Sequence, residues 1–504
     1  MKIWIGQITR SAALFTLAFS VWATEFQTGQ AARAVLGQTS FSAREAGITP
    51  TALTISGGHL YAADASRHLL VFDLAQLPAA KDEPIERQGS VCAVCGLSPA
   101  AVLNQAVLPG VAAVTALGRT VVSADTANHR VLIWRDVNSP RAAKGPDVVL
   151  GRNGTDSSIS AATLIEPVSV AFDGRRVFVG DAALHRVLIW NALPVSDGQP
   201  ADVVLGQQNF TSINIGEAPA ADSMNYPSAL VSDGTNLFVA DAVDHRILVF
   251  TAADTAMAGN AVLNSASLAT GPVAPGTLIT IMGSGLSDAA EPAPDEGESL
   301  PKALGGAEVF FNGVKVPLLS ISPTQVRAQV PYNVEGLSAS LYVRTTHQDG
   351  KVTTTNAAAV KILPGTPGLF AFGGTEPRSG MVLHASANSR GPGAPVTSED
   401  PARPGELLIV WASGLGAIND GDAADQAIEG EPFHGPDAPV IHPVAAVVSG
   451  RPAEVVAASL PQASIGIYEV RILLPADLSS DSNTPLLISQ EGHVSNTVTI
   501  PVIQ

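Results

Sequence analysis

Cysteine is nearly absent: Cys92 and Cys95 are the only two in 504 residues. That excludes a disulfide framework. It also excludes a four-thiolate zinc site, since two thiolates fill half a tetrahedral shell and no His pair stands at finger spacing. A redox pair needs its first Cys at a helix N-terminus, and this segment reads as strand. Cys92 and Cys95 are expected to be a structural pair, bonded or buried as two small hydrophobes. Charge is scarce as well. Charged residues make up 14% of the chain, and 28 Lys and Arg face 45 Asp and Glu for a formal net charge of −17. Such a surface repels phosphate backbones, which removes nucleic acid from the expected partners. After the N-terminus, no run reaches the ~20 apolar residues that a membrane helix needs.

What the sequence does have begins with a leader. Lys2 and Arg10 precede an apolar stretch from Ala12 to Trp22, and Val21-Trp22-Ala23 sets small or aliphatic residues where a signal peptidase reads. Residues 1–23 are expected to be a secretory signal peptide, too short to span a bilayer. The mature chain is then expected to be secreted, periplasmic or at the cell surface, with no transmembrane segment. An apolar fraction of 46% marks a globular protein, and 46 Gly and 36 Pro among abundant Val, Ile, Leu and Thr mark many short strands joined by turns. The expected class is all-β.

The first half repeats itself. LYAADASRHLLVF, VVSADTANHRVLIW, VFVGDAALHRVLIW and LFVADAVDHRILVF end at Phe72, Trp134, Trp190 and Phe250. Asp falls at 64, 125, 181 and 241, and His four residues later at 68, 129, 185 and 245. A Val-Leu-Gly-like tag also recurs, ending at Gln38, Gly96, Arg152 and Gln207. Each copy reads as a hairpin with period-two side chains, preceded by an inner strand and accompanied by an outer strand at the tag. Serial four-stranded units are the pattern of propeller blades. The chain opens on an outer strand (Ala34 to Gly37) and closes its last unit on a third strand, so the first can complete the last blade. This arrangement resembles the NHL repeat family, whose blades end in a similar Asp-x-x-x-His-Arg turn. Three of the four turns keep both residues (His129-Arg130, His185-Arg186, His245-Arg246), while the first reads Arg67-His68-Leu69. The resemblance implies a small NHL-like β-propeller over residues 31–255. NHL propellers are more often six-bladed, and an open arc or a larger ring stays open as an alternative.

The repeated Asp and His resemble catalytic material, but a residue needed in every blade is expected to serve the blade. Carboxylates at hairpin turns accept backbone N–H groups, and buried polar groups need partners. Asp64, His68, Asp125, His129, Arg130, Asp181, His185, Arg186, Asp241, His245 and Arg246 are therefore assigned to blade turns. The inner strands carry no His or Cys, and carboxylates only at their ends, Asp173 and Asp233. A metal-dependent propeller lactonase or lyase needs several such ligands at the channel, so no catalytic residue, metal or cofactor is expected. The long segments before the inner strands lie on one face, the default binding surface of a rigid ring. Phe210, Asn225 and Tyr226 are the candidate contacts there.

Past Thr255 the repeats stop and two related segments follow. PGTLITIMGSGL from Pro275 is answered by PGELLIVWASGLG from Pro404, and VFFNGVKVPLLSISPTQVRAQVP by VVSGRPAEVVAASLPQASIGIYEVRILLP. Alternating short strands with turns every 8–12 residues predict two Ig-like sandwiches, residues 260–364 and 365–504. These residues, with PGLF (Pro367 to Phe370) and VSNTVTIPV (Val494 to Val502), resemble the IPT/TIG-like C-terminal module of exported soil-bacterial proteins. The resemblance implies an extracellular spacer or adhesive module and no chemistry. Two acidic stretches, Asp288 to Glu298 and Asn419 to Asp425, lack the oxygen spacing of a calcium loop. The function expected is non-catalytic binding of an extracellular protein or glycan. The alternative is a metal-dependent propeller lactonase or lyase.

Overall fold

The computed structural model describes residues 24–504 apart from 46, 57, 66–67, 78–100, 105–112, 137–138, 142–143, 152–157, 258–259, 293–297, 386–391 and 419–426. The leader and both cysteines lie outside the described residues.

The described chain is all-β, with helical structure confined to single 3-10 turns. Residues 34–251 build four antiparallel four-stranded sheets. Their strands are β1 (Ala34–Leu36), β2 (Pro50–Ser56), β3 (His59–Asp64), β4 (His68–Asp73), β5 (Ala101–Asn104), β6 (Val114–Leu117), β7 (Thr120–Asp125) and β8 (Arg130–Trp134), followed by β9 (Val148–Leu150), β10 (Pro167–Phe172), β11 (Val177–Asp181), β12 (Arg186–Trp190), β13 (Val203–Leu205), β14 (Pro227–Ser232), β15 (Asn236–Asp241) and β16 (Arg246–Thr251). Three sheets are sequential meanders: β2-β3-β4-β5, β6-β7-β8-β9 and β10-β11-β12-β13. The fourth is β14-β15-β16 with β1 on its edge, Ala34 opposite Val249 and Leu36 opposite Ile247. The two ends of this half of the chain thus share one sheet.

No strand pairing joins one sheet to the next among the described residues. The inner strands instead pack face to face in the order β2, β14, β10, β6. Hydroxyls bridge the steps: Ser228 donates to the Pro50 carbonyl at 2.7 Å, Ser169 to Pro227 at 2.8 Å, and Thr126 to Pro167 at 2.6 Å. One expectation shifts. The outer strand of the β2 sheet pairs through Ala101–Asn104 rather than through the tag ending at Gly96, which lies outside the described residues. A second β-forming run, AVLN, follows that tag and takes the pairing.

Next comes a two-sheet module. One sheet holds β17 (Val262–Asn264), β18 (Leu278–Met282), β19 (Glu291–Pro292), β22 (Leu318–Ser322) and β23 (Gln325–Gln329). The other holds β20 (Ala307–Phe311), β21 (Val314–Val316), β24 (Ser338–Thr346), β25 (Val352–Thr354) and β26 (Ala358–Lys361). Period-two alternation sends Val309, Phe311, Leu341 and Val343 into the core between them. The remaining residues form a strongly bent sheet system. Arg451–Leu460 bends at a bulge after Val455 and pairs with Ala445–Val448 at one end and Tyr468–Leu473 along the other.

The alternation that fills the module core turns Phe310 and Tyr342 outward. Their rings stack at 5.0 Å and, with Ala357, enter the same cluster as Phe26, Ala31, Phe41 and Phe250 of the four-sheet unit. Burial pushes the Tyr342 phenol up to about 12. Backbone bonds run beside this contact: Ala31 donates to the Ala357 carbonyl at 3.0 Å and Asp254 to that of Thr354 at 2.9 Å. The four-sheet unit and the first module therefore share one core. Phe310→Ala is expected to cost about 3–5 kcal/mol by leaving a cavity. It should also speed amide exchange at Ala31 and Ala32, read by hydrogen–deuterium exchange. Unchanged exchange there would mean that the two parts pack independently.

Candidate functional site

Three of the four repeated turns are built the same way. The second strand of a sheet ends at Asp, three residues make a tight turn, and His takes a left-handed backbone. His129, His185 and His245 have φ of 56°, 51° and 52°. An L-residue is disfavoured there, so a compensating interaction is required. The imidazole supplies it. His245 Nδ1 donates to the Ile48 carbonyl at 3.1 Å, beside Thr49 Oγ1 at 2.9 Å. His185 Nδ1 bonds the Asn225 carbonyl, and His129 Nδ1 that of Ile165. Every acceptor belongs to the segment entering the neighbouring sheet. A carbonyl can only accept, so each ring carries its proton on Nδ1.

The Asp and Arg work within the turn and below it. Asp241 accepts from the N–H groups of Asn225 at 2.8 Å and Tyr226 at 3.0 Å, and Asp181 from Glu166 at 2.8 Å and Ile165 at 3.2 Å. Asp64 accepts from Thr49 at 2.5 Å. Arg246, fully buried, pairs with Asp241 at 2.8 Å and donates to the carbonyls of Phe41, Ala220 and Ser223 at 2.6, 3.1 and 2.8 Å. Arg186 repeats this on Phe210, Ser160 and Thr163, with Asp181 at 3.6 Å. Burial raises the Asp181 carboxyl, against the Glu166 N–H and the Arg186 charge, and burial lowers Arg186. In the outer β6 sheet the pair is solvated. The Arg130 hydrogen bond at 2.8 Å, then Asn128, holds the Asp125 carboxyl below its ordinary value. His68 begins β4, and its side chain lies outside what is described.

The candidate loop contacts are drawn into the same network. Phe210 packs half-buried against the β10 sheet while its carbonyl serves Arg186. Asn225 gives its N–H to Asp241 and its carbonyl to His185. The Tyr226 phenol is raised by burial and by Glu166. Asp173 and Asp233 at the inner-strand ends close turns: Asp173 accepts from Arg175 N at 2.9 Å and Asp233 from Thr235 N at 2.8 Å. The inner strands themselves bear no titratable side chain. Among the described residues, no three His, Cys, Asp or Glu side chains converge as a metal site would require. Of the acidic stretches, Asp288 accepts from His347 Nδ1 and from Gln348 N, both at 2.7 Å, while 293–297 and 419–426 lie outside the described residues.

Sequence reasoning missed two charged sites. Arg176 is buried over the rings of Phe26 and Phe178, 5.0 and 5.8 Å from their centroids, and pairs with Asp173 at 2.7 Å. His384 stands at the edge of an open depression of 450 Å³ lined by Asp400, Arg403 and Glu406. Its Nδ1 meets Glu406, and its Nε2 donates to the Asp400 carbonyl at 3.1 Å. Both nitrogens face acceptors, which suits the imidazolium and leaves no lone pair for a metal. Burial opposes that charge, but Glu406 and Asp400 outweigh it and raise the ring above the ordinary 6.5. No repeat or motif marks either site in the sequence.

A family model for the IPT/TIG domain matches residues 261–359. No NHL-repeat family model matches the chain. No curated protein sequence gives a significant match. Among solved structures, the computationally designed Ika4 protein aligns at 18% identity over 42% of this chain and 96% of its own, with a TM-score of 0.17. A Bacteroides ovatus mixed-linkage glucan utilization locus protein, SGBP-B, solved with a heptasaccharide, aligns at 13% over 46% and 45%, TM-score 0.20. Myxococcus xanthus glutaminyl cyclase aligns at 9% over 46% and 94%, TM-score 0.19.

Asp241→Ala strands a fully buried guanidinium and is expected to cost about 3–5 kcal/mol, read by urea denaturation. Asp125→Ala, at a solvated pair, is expected to cost under about 1 kcal/mol in the same measurement. His384 should titrate above 6.5 by NMR, and Glu406→Gln should bring it down. A raised histidine stabilises below its unfolded value and loses that contribution as pH rises through the folded one. The stability advantage of wild type over Glu406→Gln should therefore shrink upward from about pH 6.5.

Proposed function

We propose that the chain is an exported, non-catalytic binding or surface-interaction protein. In this reading, residues 31–255 form a small NHL-like β-propeller of four blades, and the face carrying the long loops is the platform for an extracellular protein or glycan. The Ig-like residues that follow hold that platform at the cell surface or outside it. One observation carries the reading. The Asp, His and Arg that recur in the sequence are engaged with the backbone of their own and neighbouring sheets, so the repeated polar groups hold loops in place. The IPT/TIG match supports the Ig-like reading of residues 261–359. The pairing of β1 with β16 supports a last blade completed by the first strand.

The core shared by Phe310 and Tyr342 with the four-sheet unit changes the part played by the first module. A spacer can be cut away without harm, whereas this module is the floor on which the platform rests. The second module is then the better candidate for attachment.

The purified chain, probed on glycan and protein arrays, is expected to retain a binder in one class, and substitutions in the exposed loop residues Ile213 and Ile215 should weaken it. No binder in either class would overturn the platform reading. A stoichiometric divalent metal bound by the four-sheet unit would replace it with the lactonase or lyase alternative. Export is tested by the mature N-terminus: mass spectrometry of the exported protein is expected to begin at Thr24.

A further inference from the structure

On β23, Val326 and Ala328 face the core of the first module, so Gln325, Arg327 and Gln329 lie on its outer face. There Arg327 stands opposite Thr280 of β18 and Ser320 of β22. One end of that face is covered. Gln329 is fully buried and accepts from Gly430 N at 2.7 Å, and Leu278 and Leu319 pack with Phe372, Trp411 and Ile467 of the second module. The other end is open, with Met282 40% exposed. Arg327 is half-buried between the two, at the mouth of the junction between modules.

Its surroundings set it apart. Elsewhere in this half of the chain, arginines in partly desolvated positions face a carboxylate: Arg344 with Glu308, Arg378 with Glu376, Arg471 with Glu469. Arg327 has neither a carboxylate nor a hydrogen-bond acceptor among the described residues, and burial alone lowers its pKa. The side chains of Ser320 and Gln325 beside it are also unengaged among the described residues, whereas Thr280 is tied to Ser265 at 2.8 Å. Leaving a guanidinium half-desolvated and unpaired is costly, and a planar two-pronged donor fits a carboxylate or sulfate. The net charge of −17 repels anions at long range, so any such ligand must be held by short-range contacts.

We propose that Arg327, with Ser320 and Gln325, forms a binding site for a single oxyanion, a carboxylate or sulfate group, at the mouth of the junction between the two Ig-like modules. The site is independent of the loop platform and stands or falls separately from it. The test uses the full chain at fixed ionic strength, with sodium sulfate, galacturonate and neutral galactose as probes. The Arg327 Nε–H resonance should shift saturably with sulfate and galacturonate and not with galactose. Either anion should raise the thermal midpoint of the wild type and leave that of Arg327→Gln unmoved. Ser320→Ala should weaken half-saturation severalfold. Tighter half-saturation by galacturonate assigns the site to acidic sugars, and tighter half-saturation by sulfate assigns it to the inorganic ion. Without anion, Arg327→Gln should melt no lower than wild type, since no ion pair to a described residue is lost. A lower midpoint, no saturable shift, or an equal anion effect in Arg327→Gln would overturn the site.

Discussion

The four-sheet unit depends on a guanidinium that belongs to one sheet and hydrogen-bonds the loops of two. Arg246 lies in β16, yet its carbonyl partners include Ala220 and Ser223 in the segment entering its own sheet and Phe41 in the segment entering the β2 sheet. Among the described residues, no backbone ladder crosses between sheets. Each step from one sheet to the next rests on packed inner strands and a hydroxyl-to-carbonyl bridge, and the steps from β10 to β14 and from β14 to β2 add a buried cation. An Arg side chain suits the task because its five donors are fixed in a plane and cannot all be met by one partner. Asp241 neutralises the charge, which would otherwise be too costly to bury. That the Asp181 carboxyl is raised and Arg186 lowered by burial shows desolvation exceeding the attraction within the pair. The pair's worth lies in geometry. It fixes which carbonyls meet which sheet, much as a polar residue fixes register elsewhere.

That use of the charged residues constrains where function can sit. A side chain committed to three backbone carbonyls in the interior has no capacity left for substrate. Each His ring commits its Nδ1 in the same way, across the boundary between sheets. Outside the repeat, exposed polar groups among the described residues stand on the loop surface, at the His384 depression and at the Arg327 junction. Among the described residues, no three His, Cys, Asp or Glu side chains converge at any of them.

Legibility in the sequence followed locality. Strand positions near Ala34, Val177, Arg186 and Arg246 could be read because period-two alternation and the turn residues act over a few positions. The closing strand could be read because the repeat began on an outer strand and ended without one, and β1 does lie beside β16. The outer strand of the β2 sheet could not, because two β-forming runs compete within a dozen residues and register is decided by tertiary packing. Phe310 and Tyr342 also stayed hidden. Their alternation reads the same whether they face water or another domain, and Phe26, Ala31 and Phe41 of the same cluster stand far from them in the sequence. Arg176 and His384 occur once each, so no repetition sets them apart from solvated charges.

The shared core bears on how such a chain assembles. The sheet completed by β1 and β16 pairs segments about 200 residues apart, and it cannot form until the last repeat has been made. Long-range pairing of this kind leaves edges exposed while the chain is incomplete. The apolar face of Phe310 and Tyr342 covers residues 31–36 next to that late-forming edge, in the same cluster as Val35 and Leu36. The first Ig-like module thus seals the place where the four-sheet unit is joined last. An intact first Ig-like module is on this argument a condition for a stable four-sheet unit.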